Sequence, residues 1–112
     1  MWGELLPEWF DDWIVVERER LRQVRLHGLE ALCDRLSAAG HHSQAVQVGI
    51  AAVADEPLRE SAQRTLIQAH LAEGNVSEAV RQFQVYRRLL REELGVGPSA
   101  ALEGLVPPVR IA

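Results

Sequence analysis

Two stretches of the chain lie thirty-four residues apart and align without a gap. Leu32, Ala38, Gly40, Ser43, Ala45 and Val46 recur as Leu66, Ala72, Gly74, Ser77, Ala79 and Val80. A segment repeating at this period is a helix–turn–helix unit that cannot bury its apolar face alone and so stacks on its own copy. The spacing predicts an all-α fold of tetratricopeptide-like antiparallel helix pairs: four main helices and a short C-terminal one. It also favours an interaction module over an enzyme.

Local signals divide the chain into a lead-in over 1–10, a first repeat with an extended first helix over 11–57, a second repeat over 58–97 and a capping helix over 98–106. Asp11 or Asp12 is placed to cap the long first helix, because a carboxylate there meets free backbone N–H groups and the positive end of the helix dipole. Leu29, Leu32, Cys33 and Leu36 recur at i, i+3, i+4 and i+7 and predict its apolar face. Gly40 stops it, since a residue with positive φ is the usual helix terminator. In the second helix, from near Ser43, the small residues Ala45, Gly49 and Ala52 share a side and allow two backbones to approach closely. Pro57 suits the first position of a third helix running from about Leu58 to Glu73. Asn75 followed by Glu78 resembles a capping box for the fourth, which ends at Gly95. Ser99 then caps the final short helix, and Pro107-Pro108 close it.

A chain of 112 residues with 47% hydrophobic and 25% charged content is a soluble single domain with one core. Its net charge of -4 opposes broad binding to a polyphosphate, so tight DNA binding by this chain alone is not expected. The single cysteine excludes an intrachain disulfide and fits a reducing compartment. With no basic leader and no membrane-length apolar run, a cytoplasmic location is expected.

Chemistry-bearing residues are few. His41 and His42 are neighbours in a turn, His27 and His70 stand apart on helices, and Cys33 lies in an apolar stripe where a thiol is inert packing. No catalytic, metal or cofactor motif appears, so neither an active site nor a cofactor is expected. Arg18, Arg22 and Arg25 are interleaved with Glu17, Glu19 and Glu30 and read as a solvated face. Arg81, Arg87, Arg88 and Arg91 read as compensation of a helix dipole.

All the tryptophan lies in the first thirteen residues. Trp2, Leu5, Leu6, Trp9, Phe10 and Trp13 either cap the helical stack or form an interface, and the second option predicts self-association as a homodimer. The repeat register also places His27, Glu30, Asp34, Arg64 and Gln68 along a groove of mixed charge.

Leu29, Leu32, Leu36, Ala45, Ala52 and Pro57 occupy the large, small and proline positions of a tetratricopeptide repeat. The second copy keeps Leu66, Ala79 and Phe83 but has Ile67 and Tyr86 where small residues are usual. A wider string is more specific: Trp2 to Pro7, Trp13 with Glu17 to Leu21, Pro57-Leu58-Arg59-Glu60, and Arg87 to Ser99. Together these resemble the bacterial transcriptional activator domain of the actinobacterial antibiotic-regulatory activators. The resemblance implies a regulatory and assembly role through protein contacts: with a winged-helix DNA-binding domain, a second protomer or RNA polymerase. The string contains neither that winged helix nor the family's first helical pair, so no DNA-reading residue carries over. The alternative is a free-standing tetratricopeptide-like adaptor for a peptide or partner helix.

Overall fold

The computed structural model describes residues 6–108, and among these the fold is all-helical, with no strand. Five helices follow in order: α1 (Trp9–Ala38), α2 (His42–Asp55), α3 (Glu60–Ala72), α4 (Val76–Leu94) and α5 (Ala100–Glu103). Helix α1 packs against α2 and α3, α2 against α3, and α3 against α4.

The turns within the two helix pairs are copies of one another. Gly40 and Gly74 both sit in the left-handed region, at φ 81° and 82°. At the first, His41 N–H donates to the Leu36 carbonyl at 2.8 Å and Gly40 N–H to that of Ser37 at 3.1 Å; at the second, Asn75 N–H donates to His70 at 2.9 Å and Gly74 N–H to Leu71 at 3.0 Å. This is the Schellman arrangement, which satisfies carbonyls at a helix end and requires a residue free to adopt positive φ. Gly95 closes α4 in the same region, at φ 68°.

The helix starts differ more from expectation. Helix α1 begins at Trp9 with Glu8 at the cap position and no capping side chain, so Asp11 and Asp12 lie inside its first turn, where their charge meets the dipole without a cap. Helix α3 begins at Glu60 rather than Leu58, because Pro57 lies in the preceding turn; its carbonyl accepts from Gln63 Nε2 at 2.8 Å. The capping box before α4 does not form: Asn75 Oδ1 accepts from Ser77 Oγ at 3.3 Å, and the Glu78 carboxylate pairs with Arg81. Ser99 does cap α5, its Oγ accepting from Leu102 N–H at 3.2 Å.

Two apolar clusters hold the stack. Cys33, Ala45 and Ala69 form one, flanked by Leu36, Val46 and Val48. Leu32 is not part of it and faces solvent. The second consists of Ile67, Ala79, Phe83, Tyr86, Leu90 and Leu102. Ile67 and Tyr86, the large residues that depart from the repeat pattern, are buried in this cluster between α3, α4 and the C-terminal turn.

Between α2 and α3 the small residues act as anticipated. Ala45, Gly49 and Ala52 are all buried, and a Cβ on Gly49 would stand 3.1 Å from Leu66 Cδ1 and 3.2 Å from Leu66 Cα.

Candidate interaction surfaces

Helix α1 is built as two halves with different fates. Leu26, Glu30 and Cys33 are buried against α2 and α3, while no residue from Trp9 to Arg25 is buried. A thirty-residue helix is about 45 Å long, and its first half extends past the pairs that cover the second. Trp9 is 61% exposed and Trp13 49% exposed, whereas Leu6 and Phe10 are half-buried. The three described aromatics touch: the Trp9 and Phe10 rings lie 6.4 Å apart at 56°, and those of Phe10 and Trp13 lie 5.6 Å apart at 38°. Indole rings held in place but open to solvent suit the centre of an interface, because their burial gains area at low entropic cost. Trp2 and Leu5 lie outside the described residues.

The groove drawn from the repeat register is only partly open. His27, Asp34 and Gln68 are exposed and Arg64 is half-buried, but Glu30 is buried. Arg59, at the cap of α3, grips the Glu30 carboxylate through Nε and Nη2, both at 3.2 Å, and its Nη1 reaches Gln23 Oε1. Glu30 therefore serves an internal ion pair and is not a groove residue. Burial alone would raise its pKa, yet hydrogen bonds from Arg59 and Ser61 and the Arg59 charge outweigh this and leave it below the ordinary value.

Further pairs tie α1 to the end of α2. Arg25 clasps both oxygens of Asp55, at 2.8 and 2.9 Å from Nη2, and Arg22 binds Glu56 and Glu19. The interleaved acids predict pairing within α1. Arg20–Glu17 and Arg22–Glu19 obey that, while Arg25 and the second bond of Arg22 reach across to α2. Nothing in the local spacing reveals the cross-helix partners, which depend on how the pair closes.

At the other end of the stack, Glu60 accepts from Ser99 N–H at 2.9 Å and from Ser99 Oγ, joining the start of α3 to the cap of α5. A cavity of about 370 Å³ lies between α4 and the C-terminal segment, lined by Phe83, Gln84, Arg87, Glu103, Val106, Pro107 and Pro108. Arg88 and Arg91 border a neighbouring hollow with Gln84 and Arg87.

Cys33 is fully buried and its thiol lies 3.1 Å from the Ala45 carbonyl. Burial, with a smaller contribution from Asp34, pushes its pKa up to about 11, so it is a packing residue and not a nucleophile. His70 is buried, with Nδ1 3.4 Å from Glu73 Oε1. Among the described residues no group of three or more His, Cys, Asp or Glu stands close enough to hold a metal ion. No described helix is long and apolar enough to cross a membrane.

The family profile described as "Bacterial transcriptional activator domain" matches residues 1–110. The chain is 36% identical over 103 residues to the regulatory protein AfsR of Streptomyces coelicolor, an alignment covering 92% of this chain and 10% of that protein. To the regulatory protein AfsR of Streptomyces griseus it is 38% identical over 89 residues, covering 80% of this chain and 9% of that protein. The chain thus spans about a tenth of the length of the curated relatives it matches.

Proposed function

The chain belongs to the bacterial transcriptional activator domain family, and we propose that within a transcriptional activator it is the helical part that assembles protein contacts. Membership in a regulatory family sets the process. The observation that supports contact as the mode of action is the aromatic start of α1, with Trp9 and Trp13 exposed on a helix whose first seventeen residues include none that is buried. An exposed apolar patch of this kind, bordered by Glu8, Asp11 and Asp12, has the composition of an interface core with a polar rim. Its candidate occupants are a DNA-binding domain, a second protomer and RNA polymerase.

Catalysis has no support among the described residues: no nucleophile is activated, and the one thiol is buried and protonated. Direct DNA recognition has little support either, because five of the arginines are ion-paired and the net charge is -4.

The test is to fuse residues 1–112 to a heterologous DNA-binding domain and measure transcription from a promoter carrying its operator in a Streptomyces host. Activation that falls when Trp9 and Trp13 are both changed to Ser, at unchanged protein level, supports the reading. No activation by the parent fusion, together with no self-association and no capture of RNA polymerase or of a DNA-binding domain by the purified chain, overturns it.

A further inference from the structure

The string Arg87 to Ser99, one of the segments that carry the family likeness, contains three arginines whose role the fold does not explain. Charge compensation at a helix C-terminus acts within the last turn, and only Arg91 stands there; Arg87 and Arg88 lie more than a full turn before Leu94. All three are exposed. Unlike Arg20, Arg22, Arg25, Arg59 and Arg81, none of them forms an ion pair among the described residues. With Gln84 they border a hollow of about 270 Å³, which shares Gln84 and Arg87 with the cavity of about 370 Å³ that Phe83, Val106 and Pro107 line. The two adjoin as one groove along α4, apolar at the Phe83 end and cationic at the Arg91 end. This groove is unsuited to the stacking of a further helical pair. The apolar side of α3 and α4 at this end is already covered by α5, through Leu102 with Leu105 and Val106, and contacts within the stack are made by small residues such as Ala45, Gly49 and Ala52. Burying three unpaired guanidinium groups against such a face is strongly unfavourable, so whatever covers the groove brings anions with it.

Resting on the reading of this domain as a protein-contact module, we propose that the groove takes an acidic segment of a partner protein, extended along α4. One apolar side chain of that segment enters the Phe83 cavity, and two carboxylates meet Arg87, Arg88 and Arg91. Charge complementarity selects an anionic partner, and guanidinium forks hold carboxylates through paired hydrogen bonds. Spacing selects an extended peptide. Phe83, Arg87 and Arg91 follow at four-residue steps, each about 6 Å along the helix axis. In an extended chain the side chains that share a face are alternate residues, about 7 Å apart. An apolar residue with acids two and four positions away therefore matches the groove from one end to the other. A nucleic-acid backbone matches it less well. Tight DNA binding neutralises several phosphates along a continuous basic surface, whereas this short cationic run is bordered by Glu92, Glu93 and Glu103 in a chain of net charge -4. A phosphodiester also leaves the apolar cavity unfilled.

The probe is the peptide Asp-Ser-Asp-Ser-Leu-Ser-Asp-Ser-Asp, blocked at both ends and symmetric so that either chain direction is served. It is titrated into the isotope-labelled 112-residue chain at physiological salt, with the backbone amide signals followed by NMR. Signals of Phe83, Gln84, Arg87 and Arg91 are expected to move and those of α1 to stay. The variant Arg87→Gln/Arg91→Gln changes only exposed positions, so helicity is retained while binding weakens at least ~10-fold. Arg18→Gln/Arg81→Gln removes the same charge outside the groove and should bind as the parent does. Glycine in place of the probe's leucine should weaken binding, and serine in place of its aspartates should abolish it. A parent chain whose signals do not move at millimolar peptide overturns the proposal. So does an equal loss in the two double variants, the mark of unspecific charge attraction. A random-sequence DNA duplex that moves the same signals at lower concentration than the peptide overturns it in favour of phosphate. Each of those outcomes leaves the reporter fusion free to activate through the Trp9 and Trp13 end, so failure of the groove and failure of the contact role are distinguishable.

Discussion

The same substitution, glycine to alanine, should have opposite signs on two helices of this fold. Gly28 lies in the middle of α1 and a methyl group there meets nothing within 4 Å. Alanine in an exposed helix interior is favoured over glycine by ~0.5–1 kcal/mol, mainly because it removes backbone freedom from the unfolded chain. Gly28→Ala should therefore stabilise the monomer by about that amount. Gly49 is equally helical, in α2, and offers the same gain. Its added methyl, however, would stand 3.1 Å from Leu66 Cδ1, 3.3 Å from Leu66 Cβ and 3.2 Å from Leu66 Cα. Crowding against Cδ1 can be relieved by a rotamer change of the leucine. Crowding against the α-carbon cannot, because that atom is the backbone of α3, so the two backbones must move apart there by a few tenths of an ångström.

Overpacking of a filled interface between helices costs ~1–3 kcal/mol, which outweighs the propensity gain and leaves Gly49→Ala destabilised by up to ~2 kcal/mol. For a domain of this size 1 kcal/mol corresponds to ~4–8 °C in Tm. Urea and thermal unfolding, followed by circular dichroism at low micromolar concentration so that association does not contribute, should thus separate the two variants by roughly ten degrees, with the parent between them. If Gly49→Ala gains as much as Gly28→Ala, then α2 and α3 have room for a methyl group. The close approach through Ala45, Gly49 and Ala52 would then be refuted.

Other substitutions probe the turns, the buried ion pair and the thiol. Gly74→Val forces a β-branched residue to φ 82° and should cost at least ~1–2 kcal/mol, read as a lowered Tm; a melt matching the parent would remove the turn assignment. Arg59→Ala strands the buried Glu30 carboxylate and should destabilise by ~3 kcal/mol in urea unfolding at pH 7. Because the folded pKa of Glu30 lies below the ordinary 4.5, its ionised form stabilises the fold above that value, and this contribution is lost as pH falls through the folded pKa. The acid limb of stability against pH should be shallower in Arg59→Ala. Cys33, with its thiol pushed up to about 11, should react with a maleimide at neutral pH only in denaturant. Gel shifts of the isolated chain at physiological salt should show no sequence-selective DNA binding, and submicromolar selective binding would overturn that expectation.

The fold is legible in the sequence because its determinants are local and periodic. Gly40, Gly74 and Gly95 mark helix ends by a conformation other residues avoid, and the thirty-four-residue spacing makes the first two turns identical. Helix starts are harder to read. Several side chains at Asp11, Asp12 and Asn75 are chemically able to cap, and which one acts depends on the backbone geometry around it, so the cap of α1 falls at Glu8, three or four residues early, and the Asn75 box stays open. The site divides along the same line. Trp9 and Trp13 are exposed in the structure, at the start of the helix where the sequence concentrates its tryptophan. Glu30 falls on the groove by register but not in the structure, because its partner Arg59 is twenty-nine residues away, and charge composition carries no information about a pair formed only when α3 closes on α1.

The motif residues that carry the family likeness have mechanical roles in this fold. Of Pro57-Leu58-Arg59-Glu60, Pro57 accepts from Gln63, Leu58 packs on the second cluster, Arg59 holds Glu30 and Gln23 of α1, and Glu60 holds Ser99 at the cap of α5. A four-residue turn thus fixes α3 to the first helix and to the segment after α4, so the two ends of the stack are set relative to each other through one connection. A partner that binds α1 and shifts it against α3 acts directly on the Arg59–Glu30 pair, and Glu60 is the next residue along the backbone.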